Sequence, residues 1–270
     1  LLQRIDSMQD DLRKHEKTNT PDFQQWLKVQ NGDELLSRTV ENATVTHLTF
    51  DDTADGKTTD FAKGAKPASY SGNIAPAPGK IGQAVRSDAN GKLVADGRRI
   101  VFERMEPYTV SFWINTPKAF DEAHVIYNGN NRIQGYRGWD VVLDSGRVHF
   151  RLNHAHPYQS LDIRTPDPLP LNEWVHFVWT YDGSSNAKGM KVYRNGEQIP
   201  MEIERNFIYR SAKPYLNPEA TVYMAYNGLI IGNRHYDQDF TGGMIDEVQI
   251  LNKEADEYVA KYLYDKEKGN

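Results

Sequence analysis

Two adjacent carboxylates, Asp246 and Glu247, stand in the middle of the apolar run MIDEVQIL, and a second acidic pair, Asp51-Asp52, closes the earlier run TVTHLTFDD. Strand alternation groups Met244, Asp246, Val248 and Ile250 on one side of the later run. Asp246 is thereby predicted on the more apolar face, where a carboxylate must be paired, hydrogen-bonded or bound to a cation. If the early and late strands are neighbours, Asp51 or Asp52 lies near Asp246. The three then form a calcium candidate, since hard cations take carboxylate and backbone oxygens. The plainer alternative is that Asp246 accepts hydrogen bonds from loop N–H groups or pairs with an arginine, and no dense Asp/Asn ligand spacing accompanies the three.

A second constellation lies in RVHFRLNHAHP. Val148, Phe150 and Leu152 share one strand face and His149, Arg151 and Asn153 the other. His154 and His156 follow at a two-residue spacing that can offer both imidazoles to a transition metal. A third ligand such as His235 or Asp140 would be required; otherwise the histidines hydrogen-bond or stack. The segments GYRGWD and NHAHPYQ flank one predicted hairpin and supply Tyr136, Arg137, Trp139, Asp140, His154, His156 and Tyr158. Aromatic faces that stack on pyranose rings, joined by planar polar groups that orient hydroxyls, make these seven a candidate sugar-binding set. The competing reading places Trp113, Trp174 and Trp179 in the core or on a sheet face, with Trp139 among them. A nucleophilic triad is excluded by the lack of a Gly-x-Ser-x-Gly elbow and of any cysteine.

The elements that must carry these residues are mostly strands. TVTHLTF, YTVSFWINT, GWDVVLDSGRVHFRLN, EWVHFVWTYDG, MKVYRNGEQIP, GLIIGN and MIDEVQIL are β-branched and aromatic runs separated by turn residues. Asn195-Gly196 predicts a type I′ hairpin turn, and Asp144-Ser145-Gly146 a second hairpin. Many short strands without intervening helices predict an antiparallel two-sheet sandwich or jelly roll. Residues 53–80 and 205–228 read as loops or insertions. Helical spacing is confined to the ends. Leu1, Ile5, Met8 and Leu12 form one stripe, and Phe23, Trp26 and Leu27 another, after an N-cap at Thr20 and before a stop at Asn31-Gly32. Tyr258, Val259, Tyr262 and Leu263 mark a terminal helix. The division expected is a helical hairpin over 1–38 and a β domain over 39–270, with its last helix at about 254–267.

Composition narrows the partners. The 270 residues carry a net charge of −5 with acidic and basic residues mixed, so no basic stripe suited to nucleic acid is present. No apolar run reaches the roughly 20 residues that cross a bilayer as a helix, and membrane insertion by this segment is not expected. Zero cysteines exclude disulfides, thiolate metal sites and covalent haem attachment within the sequence. A first residue Leu1 inside a predicted helix reads as a mature product or an excised fragment.

YTVSFWINT, LNEWVHFVWTYDGSSNAKGMKVYRNGEQI and DFTGGMIDEVQIL, in this order, resemble the successive signatures of a laminin-G-like domain of the concanavalin A-like lectin/glucanase superfamily over residues 43–253. The stretch from RGWDVV to SSNAKG, preceded by DFQQWL, is similar to the module inserted in bacterial proteins of the planctomycete-type cytochrome c family. That resemblance implies a jelly roll acting as a non-catalytic binding module, with glycan as its ligand class, in a periplasmic or cell-surface parent. It also implies a rival in which the segment is a structural insert contacting neighbouring domains, and, more remotely, a divergent glycoside hydrolase. The glucanase branch carries Glu-x-Asp-x-x-Glu on one strand; aligned on Asp246, that pattern finds Met244 and Gln249 in place of its glutamates.

Overall fold

The computed structural model describes residues 8, 11, 14, 21, 22, 24, 25, 32–216, 226, 228–232, 234 and 239–268. Backbone packing divides the chain into Leu1–Asn42 and Ala43–Asn270. Helix α1 (Gly32–Ala43), whose last residue opens the second unit, begins where a stop was predicted. Its opening turn carries Asp33 and Glu34, and carboxylates are favoured at the positive end of a helix dipole. The stripe residues Leu1, Ile5, Leu12, Phe23, Trp26 and Leu27, with Thr20 and Asn31, lie outside the described residues.

The second unit is a sandwich of two antiparallel sheets. One runs β14 (Glu197–Ile199), β13 (Met190–Arg194), β12 (Trp174–Tyr181), β7 (Tyr108–Asn115), β17 (Met244–Leu251), β5 (Gln83–Ser87), β4 (Ile74–Pro78), with β1 (Thr44–Leu48) also paired to β17. The other runs β15 (Glu202–Phe207), β11 (Gln159–Arg164), β10 (Arg147–Ala155), β9 (Gly138–Asp144), β8 (Glu122–Gly129), β16 (Leu229–Gly232), β6 (Lys92–Ala95), β3 (Ala68–Ser71), β2 (Lys57–Thr58). Three of these strands fall within the predicted loop at 53–80, where Gly, Pro and Lys masked short edge pairings. Both predicted hairpins are present, with Asn195 and Gly196 at φ 51° and 81°, and Ser145 and Gly146 at 52° and 74°.

Alternation turns Val110, Phe112 and Ile114 of β7 inward to meet Val148, Phe150 and Leu152 of β10. Rings bridge the layers, with Phe150 centred 5.7 Å from Phe177 and 5.5 Å from Trp179. Helix α2 (Glu257–Glu267), N-capped by the Asp256 carboxylate accepting from Val259 N–H at 2.9 Å, lies on the outer face of the first sheet. There the Trp113 indole N–H donates to Glu267 at 3.1 Å, and Tyr264 packs on His176. Trp113 is thus buried by the helix on the sheet's outer side, whereas Trp179 lies in the inter-sheet core. No described helix is long and apolar enough to cross a membrane.

Candidate functional site

The outer face of the second sheet carries a cleft of about 310 Å³. Its walls come from five adjacent strands, β8, β9, β10, β11 and β15, and from the turns beyond them. The same pleat that buries Val148, Phe150 and Leu152 turns His149 and Arg151 into it, and the register sets Asp162 of β11 opposite Arg151 and Arg205 opposite Asp162.

Below the cleft, Asp140 is fully buried and held by two guanidinium groups. Arg151 donates from Nε and Nη2 at 2.7 and 2.9 Å, and Arg234 from Nη1 at 2.9 Å. Burial alone would raise the Asp140 carboxyl, but the charges of Arg151 and Arg234 and the hydrogen bonds of Arg151 hold it well below the usual carboxylate range. Arg234 lies between the rings of Tyr127 and Tyr136, 4.1 and 4.5 Å from their centroids, a cation–π arrangement suited to a buried arginine. Tyr136 adopts φ 57°, a left-handed conformation that a bulky residue rarely takes and that clusters at functional sites. Above this layer, His149 Nδ1 lies 2.9 Å from Asp162 Oδ1. The carboxylate fixes the Nδ1–H tautomer and leaves Nε2 as the remaining polar atom of the ring. Burial, then the charge of Arg151, pushes His156 down to about 4, so its imidazole is neutral at physiological pH.

The seven predicted ligand-binding residues divide. Tyr136 and His156 line the cleft, and Asp140 lies beneath it, fixing Arg151. Trp139 is corrected to a core residue: it is 1% exposed, donates its indole N–H to Ile100 O at 3.0 Å and packs on Trp179. The reason is the pleat, because Trp139 and Asp140 are consecutive on β9 and must face opposite sides. Arg137 and His154 bond each other beside the 208–216 segment, with His154 Nδ1 2.7 Å from Ser211 O and Arg137 stacked 4.1 Å from the Tyr215 ring centroid. Tyr158 projects from the β10–β11 turn, 82% exposed. The metal pair imagined for His154 and His156 is therefore split between two environments, Asp140 is engaged by arginines, and His235 lies outside the described residues. Sequence reasoning missed His149, Arg151, Asp162, Arg164 and Arg205 as site residues, although the alternation of β10 already grouped the first two on one face.

The acidic trio resolves differently from the predicted alternation. Asp246 pairs with Trp113 and Gln249 with Ser111, and between them Glu247 bulges at φ 49°. The bulge inserts one residue, so Ile245, Val248 and Ile250 face the core while Asp246 faces outward under the β4–β5 turn. Ile81 N–H donates to Asp246 Oδ2 at 3.0 Å, and Gln83 N–H in the same turn donates to Asp51 Oδ1 at 2.7 Å. Asp52 instead accepts from Thr58 and Thr59. Burial raises Asp246 to about 7. Among the described residues no group of three or more His, Cys, Asp and Glu side chains is arranged to hold a metal ion.

A two-sheet antiparallel sandwich with a polar cleft on one outer face defines a concanavalin A-like jelly roll. The profile of the Laminin_G_3 family, described as the concanavalin A-like lectin/glucanases superfamily, matches residues 88–257, and the chain belongs to that family. No curated protein matches the chain in sequence. Among solved structures, the binding domain of Paraclostridial Mosquitocidal Protein 1 superposes with a TM-score of 0.61 at 17% identity, over 84% of this chain and 53% of that one. A structure titled for botulinum neurotoxin type C, whose cell entry is dependent upon interaction with two ganglioside molecules, gives 0.60 at 16% identity over 86% and 53%. The binding domain of botulinum neurotoxin DC in complex with rat synaptotagmin II gives 0.59 at 17% over 84% and 52%. This chain thus spans about half of each, and the likeness is one of fold.

Proposed function

We propose that this chain is a non-catalytic carbohydrate-binding module whose site is the cleft over β8–β11 and β15, serving a larger bacterial protein outside the cytoplasm. The observation that carries the reading is the fixed polar surface of the cleft, where planar groups hold one another in place before any ligand arrives. Arg151 is clamped by Asp140, and His149 by Asp162. Preorganised planar donors and acceptors can meet vicinal hydroxyls without an ordering cost. Family membership and the binding-domain neighbours support a recognition role.

Hydrolysis is disfavoured on chemical grounds. A glycosidase holds one carboxyl protonated next to the scissile bond. Among the described residues the carboxyls raised by burial are Asp60, Asp246 and Glu247, and none of these lines the cleft. The test is a glycan array probed with the full chain and with His149→Ala and Arg205→Ala. Arg205 has a side chain 49% exposed, so its variant reports on binding with little effect on folding. The reading predicts binding that both substitutions weaken. A wild-type chain that binds no glycan on the array, or variants that bind as well as wild type, would end it.

A further inference from the structure

Resting on the glycan reading, we infer that the cleft takes an internal stretch of an uncharged polysaccharide, and that the chain leaves it over an aromatic shelf formed by Tyr158, Phe207 and Tyr209. Strand register locates the shelf. Phe207 lies opposite Ser160, two positions beyond the Arg205–Asp162 pair that lines the cleft. It therefore shares the outer face with Arg205, about 7 Å farther along β15. The Tyr209 ring meets Phe207 edge-on at 5.4 Å, and its N–H lies 3.5 Å from Gln159 Oε1. Tyr158 precedes Gln159 and follows the cleft-lining His156 by two residues. These three rings are 82% (Tyr158), 59% (Phe207) and 56% (Tyr209) exposed. An exposed aromatic group continuous with a polar cleft suits a ligand that alternates apolar ring faces with hydroxyl edges.

Charge selects among such ligands. At the opposite end, the pairing of Glu122 with Asp144 gathers their carboxylates beside Asp121. Five carboxylates line the cleft, Asp121, Glu122, Asp144, Asp162 and Glu204, against three arginines, of which Arg151 is paired with Asp140 and Arg164 with Glu202 and Glu204 at 2.8 and 3.0 Å. A sugar carboxylate or sulfate would meet like charge at one end and, in the middle, guanidinium charges already outnumbered by carboxylates. A neutral chain meets neither obstacle.

The experiment is calorimetric titration of the full chain with cello-, manno-, xylo- and laminari-oligosaccharides of one, three and six units, and with hexaguluronate as the acidic counterpart. At least one neutral series is expected to gain about tenfold in affinity from three units to six, with hexaguluronate weaker. The Phe207→Ala/Tyr209→Ala double variant is expected to lose that gain, since two ring stackings together correspond to about tenfold. Short oligosaccharides that bind with no gain in length, a gain that survives the double variant, or acidic chains that bind as tightly each overturn the shelf or the neutral class while leaving the glycan reading intact. Failure of every oligosaccharide, together with a blank array, removes both.

Discussion

Asp246 illustrates how a single carboxyl responds to its neighbourhood. Burial lifts it from an ordinary 3.8 to about 7, so between those values the folded chain binds more protons than the unfolded one. Its contribution to stability is complete below about pH 4 and is withdrawn as pH rises through about 7. Asp246→Asn should remove that slope and add a pH-independent loss of roughly 1–3 kcal/mol, because an amide leaves one of its two backbone donors, Ile81 N–H and Glu247 N–H, without an acceptor. Urea unfolding of both proteins at steps from pH 4 to pH 8 measures the difference. Since Asp51, Asp52 and Asp246 are each used by backbone N–H groups, thermal unfolding with and without a chelator is expected to coincide; a rise with added calcium would restore the cation. Asp140 behaves oppositely. Asp140→Ala strands Arg151 and Arg234 in a buried layer, and an uncompensated buried charge costs about 3–5 kcal/mol, readable in the same unfolding experiment.

Strands determine which of these residues was legible beforehand. On β10 the period-two pattern was regular, and His149 and Arg151 fell on the correct face from the sequence alone. On β9 the aromatic-rich phrase GYRGWD looked like a binding segment, but a strand cannot present Trp139 and Asp140 to the same side. The bulge at Glu247 left no sequence mark, because the left-handed region there is occupied by a residue that seldom visits it. Strand β15 was missed because 205–207 fell within the predicted insertion at 205–228 and Glu202 and Glu204 were assigned to no element, although charge is what protects an edge strand from unwanted pairing. Gly138, at φ 123°, exists for proximity: a Cβ would sit 2.2 Å from Asn128 O. Gly138→Ala should therefore separate β8 from β9, lowering the melting temperature and weakening glycan binding with it, where the same change at an unconstrained strand position would stabilise by about 0.4–1 kcal/mol.

For the molecule as a whole, the two sheets enclose one core, and the proposed recognition surface is the outer face of one of them. Phe150 is fully buried between them, and Phe150→Ala is expected to cost about 3–5 kcal/mol with binding retained in the fraction that stays folded. A saturating glycan should in turn raise the melting temperature of wild type, as any ligand restricted to the native state must. The laminin-G-like character and the sandwich were readable in the order of the strand phrases; the cleft was not, because its two outermost strands, β8 and β15, were not among them, and β15 joins the consecutive series β8–β11 from farther along the chain. Helix α2 has a practical consequence. It covers the sheet opposite the cleft through Trp113, His176 and Tyr264, so a sensor surface or bead coupled through that helix would hold the protein with the proposed recognition side turned toward the bulk liquid.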